Sequence, residues 1–470
     1  MNRAPDKESP FSLTLAEGGI NLPVLRFSGH EALNQPYRFE IEVMGLAPAW
    51  SPGTLLYQAA FLHLDDDHGI HGIIQSASCE HRATHRIAYQ LVLMPHLQAL
   101  EQHPVRRVFT LMNVPAILEQ LLSEHHLPAH SYRIEMTVGH YPPRPFCIQY
   151  EETDLAFLQR LCEEEGIHYH FEHQPDGHVV VFADDSLSLP QQPTAIPFNT
   201  QIDAPATGLS SLFQRHEAVL PQLPTGVRER GQSISGQDAA NHTLGGAVAP
   251  PGFLPTAQRH AAQRSRRLLE RQRSRSRSIQ GRSDCPRLLS GRLLQVMEHP
   301  VNAFNEQWLI TDLRHQGQQP SILDPVPTVR RYHNDFTALP WSTPFRPPPK
   351  KPRPGIPGYQ SAQVLGVPGQ PAQVDGQGRI AVRLWPDQPD ARASEGLWLP
   401  VVMPHAGSGL PRENLPCAGS EVWVSFLDSD PDRPILCLDA CRPRTSQPTE
   451  TEPDDDFLLD WLLNRSAPPR

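Results

Sequence analysis

The segment "PFRPPPKKPRPGIPG", residues 344–358, constrains the fold more than any other stretch of this chain. Seven of its fifteen residues are proline. Proline has no N–H to donate and a fixed φ, so neither a helix interior nor a central strand can run through it. The segment reads as a stiff polyproline II linker rising about 3.1 Å per residue. It splits the 470 residues into a long part before it and a short part after it. Proline is dense elsewhere too. With 51 in all, its share is about twice the usual ~5%. Such a chain favours short strands and loops over long helices.

The long part carries the β signal. Phe11, Leu13 and Leu15 alternate with polar neighbours, and "EGG" follows as a turn before Leu22 and Val24. Tyr37, Phe39, Ile41 and Val43 alternate, as do Ile87, Tyr89, Leu91 and Leu93. A period of two buries one face of a strand. Two helical segments interrupt. "NVPAILEQLLSEHH" offers Asn113 as N-cap and places Ile117, Leu118, Leu121 and Leu122 on one face. "TDLAFLQRLCEEEG" stripes Leu155, Leu158, Leu161 and Cys162 and stops at Gly166. "IHYHFEHQPDGHVVVF" predicts a hairpin turning at "QPDG". Residues 199–256 show no clear pattern, an arginine-rich helix is expected over 257–278, and strands over "RLLSGRLLQVMEHP" and "EQWLITDLRH".

After the proline-rich segment come five short strand candidates: "QSAQVLGV", "GRIAVRLW", "GLWLPVVM", "EVWVSFLD" and "RPILCLDA". Five strands in so few residues predict a small OB-like barrel. The last two flank "DSDPDRP". There Pro431 and Pro434 fix φ, Asp430 and Asp432 can cap backbone amides, and Arg433 can pair with a carboxylate. A rigid corner of this kind sets hairpin register, and register decides which face is buried. Beyond a polar stretch, "DDDFLLDWLLNR" places Phe457, Leu458, Trp461 and Leu462 on one helical stripe. A short tethered amphipathic segment of this kind suits docking into a groove of another protein.

Several function classes find little support. Net charge is −10, and residues 359–445 hold seven arginines against ten acidic residues. A negative barrel repels phosphate, so nucleic acid is not expected as a partner. The same balance assigns Trp385, Trp398 and Trp423 to core or subunit contacts. The arginine-rich helix has no interleaved aromatic residues for base stacking and reads as a solvated or subunit-facing helix. His168 and His170 share a strand face, with His173 beyond. Two such histidines can ligate zinc, but no cysteine or carboxylate completes a set, so no metal or cofactor is assigned. Cys437 and Cys441 lie too far apart along a strand for a disulfide, and the seven cysteines read as reduced thiols. No nucleophile elbow, HExxH or Walker sequence occurs, so no enzyme is expected. No apolar run is long enough for a membrane helix. The N-terminal "MNRAPDKESPFSLTL" lacks a signal-peptide core, which makes cytoplasmic synthesis the expectation.

Several segments together resemble one family. "SEVWVSFLDSDPDRPILCL" resembles the final hairpin of the OB-like barrel in VgrG proteins, the spike components of type VI secretion systems. "QYEETDLAFLQRLCEEEGIHYHFEH" is similar to that family's hub helix and hairpin, "HPVNAFNEQWLITDLRHQG" to its last hub strands, and "VDGQGRIAVRLWPD" to a barrel strand. They occur in the family's order. The resemblance implies a mainly β fold with minor α: two related hub β-barrels over 1–343, the proline-rich linker 344–358, an OB-like barrel over 359–445, and an acidic tail 446–470.

It also implies a mechanical job, within a contractile injection machine that the chain joins after synthesis. A homotrimer would present six similar barrels to the hexameric tube protein Hcp and carry an effector, an adaptor or a PAAR-type tip. Two departures bear on this. Only 29 residues follow Cys441, so the β-helical needle of typical members is not expected here. "CLDACRPR" also replaces the usual glycine-containing exit strand. A cargo adaptor that loads an effector through its barrel and tail is the alternative, and a phage-tail or bacteriocin hub a third.

Overall fold

The computed structural model describes residues 11–45, 50–66, 68–83, 86–199, 207–218, 256–320, 329–350, 352–386, 396–401 and 415–438. It divides into two compact units, residues 1–354 and 355–470.

The first unit begins with a closed barrel. Its strands are β1 (Ser12–Leu15), β2 (Asn21–Ala32), β3 (Gln35–Gly45), β4 (Ala59–His63), β5 (Gly69–Ala83) and β6 (Arg86–Met94), with a single helical turn α1 (Pro52–Leu55) before β4. The order β1-β4-β5-β6-β3-β2 closes because β1 also pairs with β2. Closure removes both sheet edges. The alternating stripes lie face to face inside: Phe39 opposite Leu93, Ile41 opposite Leu91 and Val43 opposite Tyr89, all buried.

An insertion follows, made of β7 (Val105–Met112), α2 (Val114–Glu124), β8 (Tyr132–Glu135), β9 (Arg144–Glu152), α3 (Asp154–Glu165), β10 (His168–Gln174) and β11 (Gly177–Ala183). The local signals read from the sequence hold. Asn113 Oδ1 accepts the Ala116 N–H at 2.9 Å, and Gly166 ends α3 at φ 70°. The helix stripes pack into the core of the first barrel, joined there by Phe157, which the stripe assignment had omitted. The β10–β11 hairpin turns at the expected residues, and β8 adds to β11 in parallel.

The remaining strands of this unit are β12 (Pro193–Pro197), β13 (Leu209–His216), β14 (Arg277–Ser283), β15 (Leu293–Met297), β16 (Gln307–Gln318) and β17 (Arg331–Pro340), with α4 (Thr256–Ser276) leading into β14. They run β12-β15-β16-β17-β14-β13. The array curls until Phe198, just past β12, bridges Leu209 in β13. Trp308, Ile310, Leu313, Phe336 and Ala338 fill this second barrel. The two barrels are one continuous sheet, because β2 pairs with β16 from Arg26↔Gln318 to Ala32↔Asp312.

Three expectations need correction. Residues 287–292 are not strand, because Gly291 sits at φ 76° and breaks the extended run before β15. β13 was not anticipated. It lies at one end of the strand path, and most of its residues are exposed, so it carries no alternation to read. The arginine-rich helix is not simply solvated, since Arg267, Glu270 and Ser274 on its inner face are buried.

The second unit holds β18 (Tyr359–Val364), β19 (Arg379–Leu384), β20 (Leu397–Pro400), β21 (Glu421–Phe426) and β22 (Pro434–Cys437), ordered β20-β19-β18-β21-β22. Four fall within the strand candidates, and β18 starts one residue before its own. Val401, next to β20, bridges Leu436 in β22, so the five strands nearly close into a barrel.

Candidate functional site

Three consecutive glutamates, Glu163, Glu164 and Glu165, end α3. A helix C-terminus carries partial negative charge, so acids there need cations nearby. Four segments supply them. From β9, Arg144 reaches Glu165 at 2.7 Å and Glu164 at 3.2 Å. From α3 itself, Arg160 pairs with Glu164 at 2.9 Å. From α4, His260 Nε2 lies 3.0 Å from Glu165, while Arg267 donates to the Glu165 carbonyl and to Tyr141 OH at 2.9 Å. The proline-rich segment adds Arg353, 2.7 Å from Glu164, and the Lys350 N–H, which donates to Glu163 at 3.2 Å.

Arg346 closes the joint. It is buried, its Nε donates to Glu270 at 2.7 Å, and its Nη1 donates to the carbonyls of Gly166 (3.1 Å) and Asp184 (2.6 Å). Asp184 in turn accepts the N–H groups of Thr137 at 3.0 Å, Val138 at 3.2 Å and Gly139 at 2.5 Å.

The electrostatics separate neighbouring acids. Burial works to raise the Glu164 carboxyl, but Arg353, Arg160 and Arg144 outweigh it and hold it down at about 2. For Glu163 burial wins over Lys350 and Arg271, and its pKa rises. Burial also opposes ionisation of Asp184, yet three backbone donors bring it below the ordinary value. α4 is therefore clamped to the hub through its own arginines, and the first half of the proline-rich segment is bound down by Arg346 and Lys350.

Sequence reasoning missed this joint. Arg267 lies 102 residues from its Glu165 partner, so no local spacing announces the pair. The only signal was that both like-charge runs were too dense to stand alone.

The corner Asp430–Pro434 lies in the second unit. Asp430 accepts the Asp432 N–H at 3.0 Å, and Arg433 pairs with Asp428 at 2.6 Å. Pro431 and Pro434 are buried. Three backbone bonds staple the turn: Leu427 N–H to Arg433 O, Asp430 N–H to Leu427 O, and Arg433 N–H to Asp430 O, each at 3.0 Å. Asp428 and Ser429 both hold positive φ, 56° and 57°. Ser429 O accepts the Ile356 N–H at 2.9 Å, tying the corner to the segment just before β18.

Phe457, Leu458, Trp461 and Leu462 lie outside the described residues, as does Cys441. Trp385 is buried and donates to Gln360 Oε1 at 3.0 Å, whereas Trp398 is exposed and Trp423 half-buried. His168 and His170 share one buried face, with ring centroids 6.4 Å apart. Among the described residues no three histidine, cysteine or acidic side chains converge on a point that could hold a metal ion.

Two family models match the chain: the phage tail baseplate hub (GPD) over residues 30–321, and the type VI secretion system/phage-baseplate injector OB domain over 369–438. The type VI secretion system spike protein VgrG4b of Pseudomonas aeruginosa is 34% identical over 92% of this chain and 56% of its own length. The chain belongs to the VgrG family. VgrG5 of the same organism is 35% identical, over 93% of this chain and 58% of the relative. The chain thus spans a little over half the length of these curated VgrG relatives.

Among solved structures, the E. coli c3393 protein superposes with a TM-score of 0.68 at 23% identity, over 90% of this chain and 98% of that one. It is described as a type VI secretion component resembling the T4 tail proteins gp27 and gp5. A chain of the Francisella PdpA–VgrG complex superposes with a TM-score of 0.55 at 8% identity, over 90% of this chain and 77% of that chain. These likenesses bear out the mainly β fold of two hub barrels and an OB-like barrel. Within this VgrG-family chain the glutamate–arginine joint lies in the hub part, and the Asp430–Pro434 corner in the OB-like part.

Proposed function

We propose that the chain is a structural hub of a type VI secretion machine, working as a homotrimer that mates with the hexameric tube protein Hcp. The observation that carries this reading is the pair of β-barrels fused edge to edge through β2 and β16. Three chains with two barrels each supply six similar units, the number a sixfold tube needs at its end. The separate five-stranded unit and the 446–470 tail are then free to carry an effector, an adaptor or a PAAR-type tip. The work is mechanical, transmitting force through packed sheets, and uses no catalytic group.

Support for cargo comes from the Francisella neighbour, which was solved as a complex with PdpA. A second reading, a cargo adaptor that loads an effector without puncturing, draws on the acid-flanked apolar stripe Phe457, Leu458, Trp461 and Leu462. A hub of a phage tail or tail-like bacteriocin is the third, in keeping with the name of the hub model.

Co-sedimentation of the full chain with the cognate tube protein tests the leading reading. Six tube subunits bound per three chains are expected. No tube binding, together with one effector bound per chain, would favour the adaptor.

A further inference from the structure

A row of histidine rings joins the first barrel to the β8–β11–β10 sheet. His71 projects from β5, His178 from β11, and His96 begins the turn after β6. His71 Nδ1 lies 2.8 Å from His178 Nδ1. The other nitrogen of His178, Nε2, accepts the His96 backbone N–H at 3.0 Å and also faces His96 Nδ1. His96 Nε2 reaches the Ser131 carbonyl, just before β8, at 3.2 Å. His173 of β10 is packed alongside, its ring 6.3 Å from that of His178 and 5.0 Å from Tyr37. Tyr37 OH donates to the His71 carbonyl at 2.5 Å.

Counting hydrogens fixes the tautomers. His178 Nε2 must be a lone pair, because a backbone N–H points at it. Neutral His178 therefore carries its hydrogen on Nδ1 and donates to His71 Nδ1, which must also be a lone pair. Each of these two contacts tolerates one hydrogen and no more. A proton added to His178 Nε2 or to His71 Nδ1 would set donor against donor, inside a site where repulsion is poorly screened.

We propose that these rings are a proton-operated latch: neutral, they hold the β8–β11–β10 sheet to the first barrel, and on acidification they release it. The charged surroundings allow this. Asp176, in the β10–β11 turn, acts on His71. His130 and His71 act on His96, Glu31 and Arg292 act on His173, and His96, His173 and His71 act on His178. Among the described residues no carboxylate is hydrogen-bonded to any of the three latch rings. Burial lowers His71 and His178 and brings His96 and His173 down to about 4. The sign follows. A histidine whose pKa is lowered on closing supports the closed form above its free value of about 6.5, and that support fades as pH falls toward the lowered value. A ring going from ~6.5 when open to ~4 when closed shifts the closing equilibrium by roughly 20-fold between pH 7 and pH 5.

Amide hydrogen exchange on the full chain, corrected for the intrinsic pH dependence, tests the latch. Between pH 7 and pH 5, wild type should lose about tenfold or more protection in β8, β10, β11 and residues 95–100, while β1–β4 and β18–β22 keep theirs. His178→Gln and, independently, His71→Gln should each reduce that loss by about threefold or more. Unchanged local protection in wild type at pH 5, equal loss across every strand, or an undiminished loss in both variants would each overturn the proposal.

Discussion

Arg346 is the residue whose removal says most about how the hub is held together. Arg346→Met keeps the stem volume and deletes the guanidinium. Three acceptors then lose a donor: Glu270 at 2.7 Å, Asp184 O at 2.6 Å and Gly166 O at 3.1 Å. Glu270 is left with Arg266, whose own side chain is 76% exposed. Breaking a buried ion pair costs about 3–5 kcal/mol when one charge stays behind. The two carbonyls would each add about 1–3 kcal/mol only if no water reached them, so the ion-pair term sets the expected size. A loss of about 3–5 kcal/mol is therefore expected in urea titrations of the full chain followed by tryptophan fluorescence.

The cycle with Glu270→Gln separates the contributions. In Arg346→Met the Glu270 charge is a liability, so adding Glu270→Gln should recover about 1–2 kcal/mol. The pH profile gives an independent check. Burial opposes ionisation of Glu270, and Arg346 outweighs it, so the pKa is depressed. A depressed carboxylate gives stability above its unfolded pKa and loses it as pH falls through the folded one. Arg346→Met should flatten that part of the profile. A cost below about 1 kcal/mol, with no recovery in the double variant, would refute the view that the joint clamps α3, α4 and the proline-rich segment together.

Other substitutions test other links. Phe157 is fully buried and stacks on Phe109 at 5.4 Å, so Phe157→Ala should cost about 3–5 kcal/mol in the same titration. In the corner, Arg433 and Asp428 are 50% and 83% exposed. Arg433→Ala should therefore cost less than about 1 kcal/mol, whereas Ser429→Gly should gain about 0.5–1 kcal/mol by relieving a positive φ. Glu164, held at about 2, should give up to about 3 kcal/mol of stability that is lost as pH falls from about 4.5 toward 2, and Glu164→Gln should remove that slope.

Several strands of the first barrel were legible because strand alternation is a local signal, whereas the pairing of two hub barrels came only from the family resemblance. Phe39, Ile41 and Val43 announce their buried face without reference to Leu93, Leu91 and Tyr89, which they meet. The caps at Asn113 and Gly166 were legible for the same reason: each acts within four residues. β13 was not, because only Leu209 is fully buried along it and most of its other residues are exposed, which leaves no period of two to read. The glutamate–arginine joint was hidden by distance in sequence. Arg144, Arg267 and Arg346 come from three separate segments, and only the fold brings them to one helix end. The histidine row was partly visible. Of the histidines read from the hairpin only His173 lies beside the row; His178 was not singled out, and His71 and His96 join it only when β5 and the turn after β6 come alongside β11.

The central claim is that this polypeptide forms a hub that assembles threefold. Size-exclusion chromatography of the full chain with light scattering tests it most directly. One chain is 52.6 kDa, and a particle of about 158 kDa (3 × 52.6) is the expected result. A stable species near the mass of a single chain, unchanged as concentration rises, would contradict it.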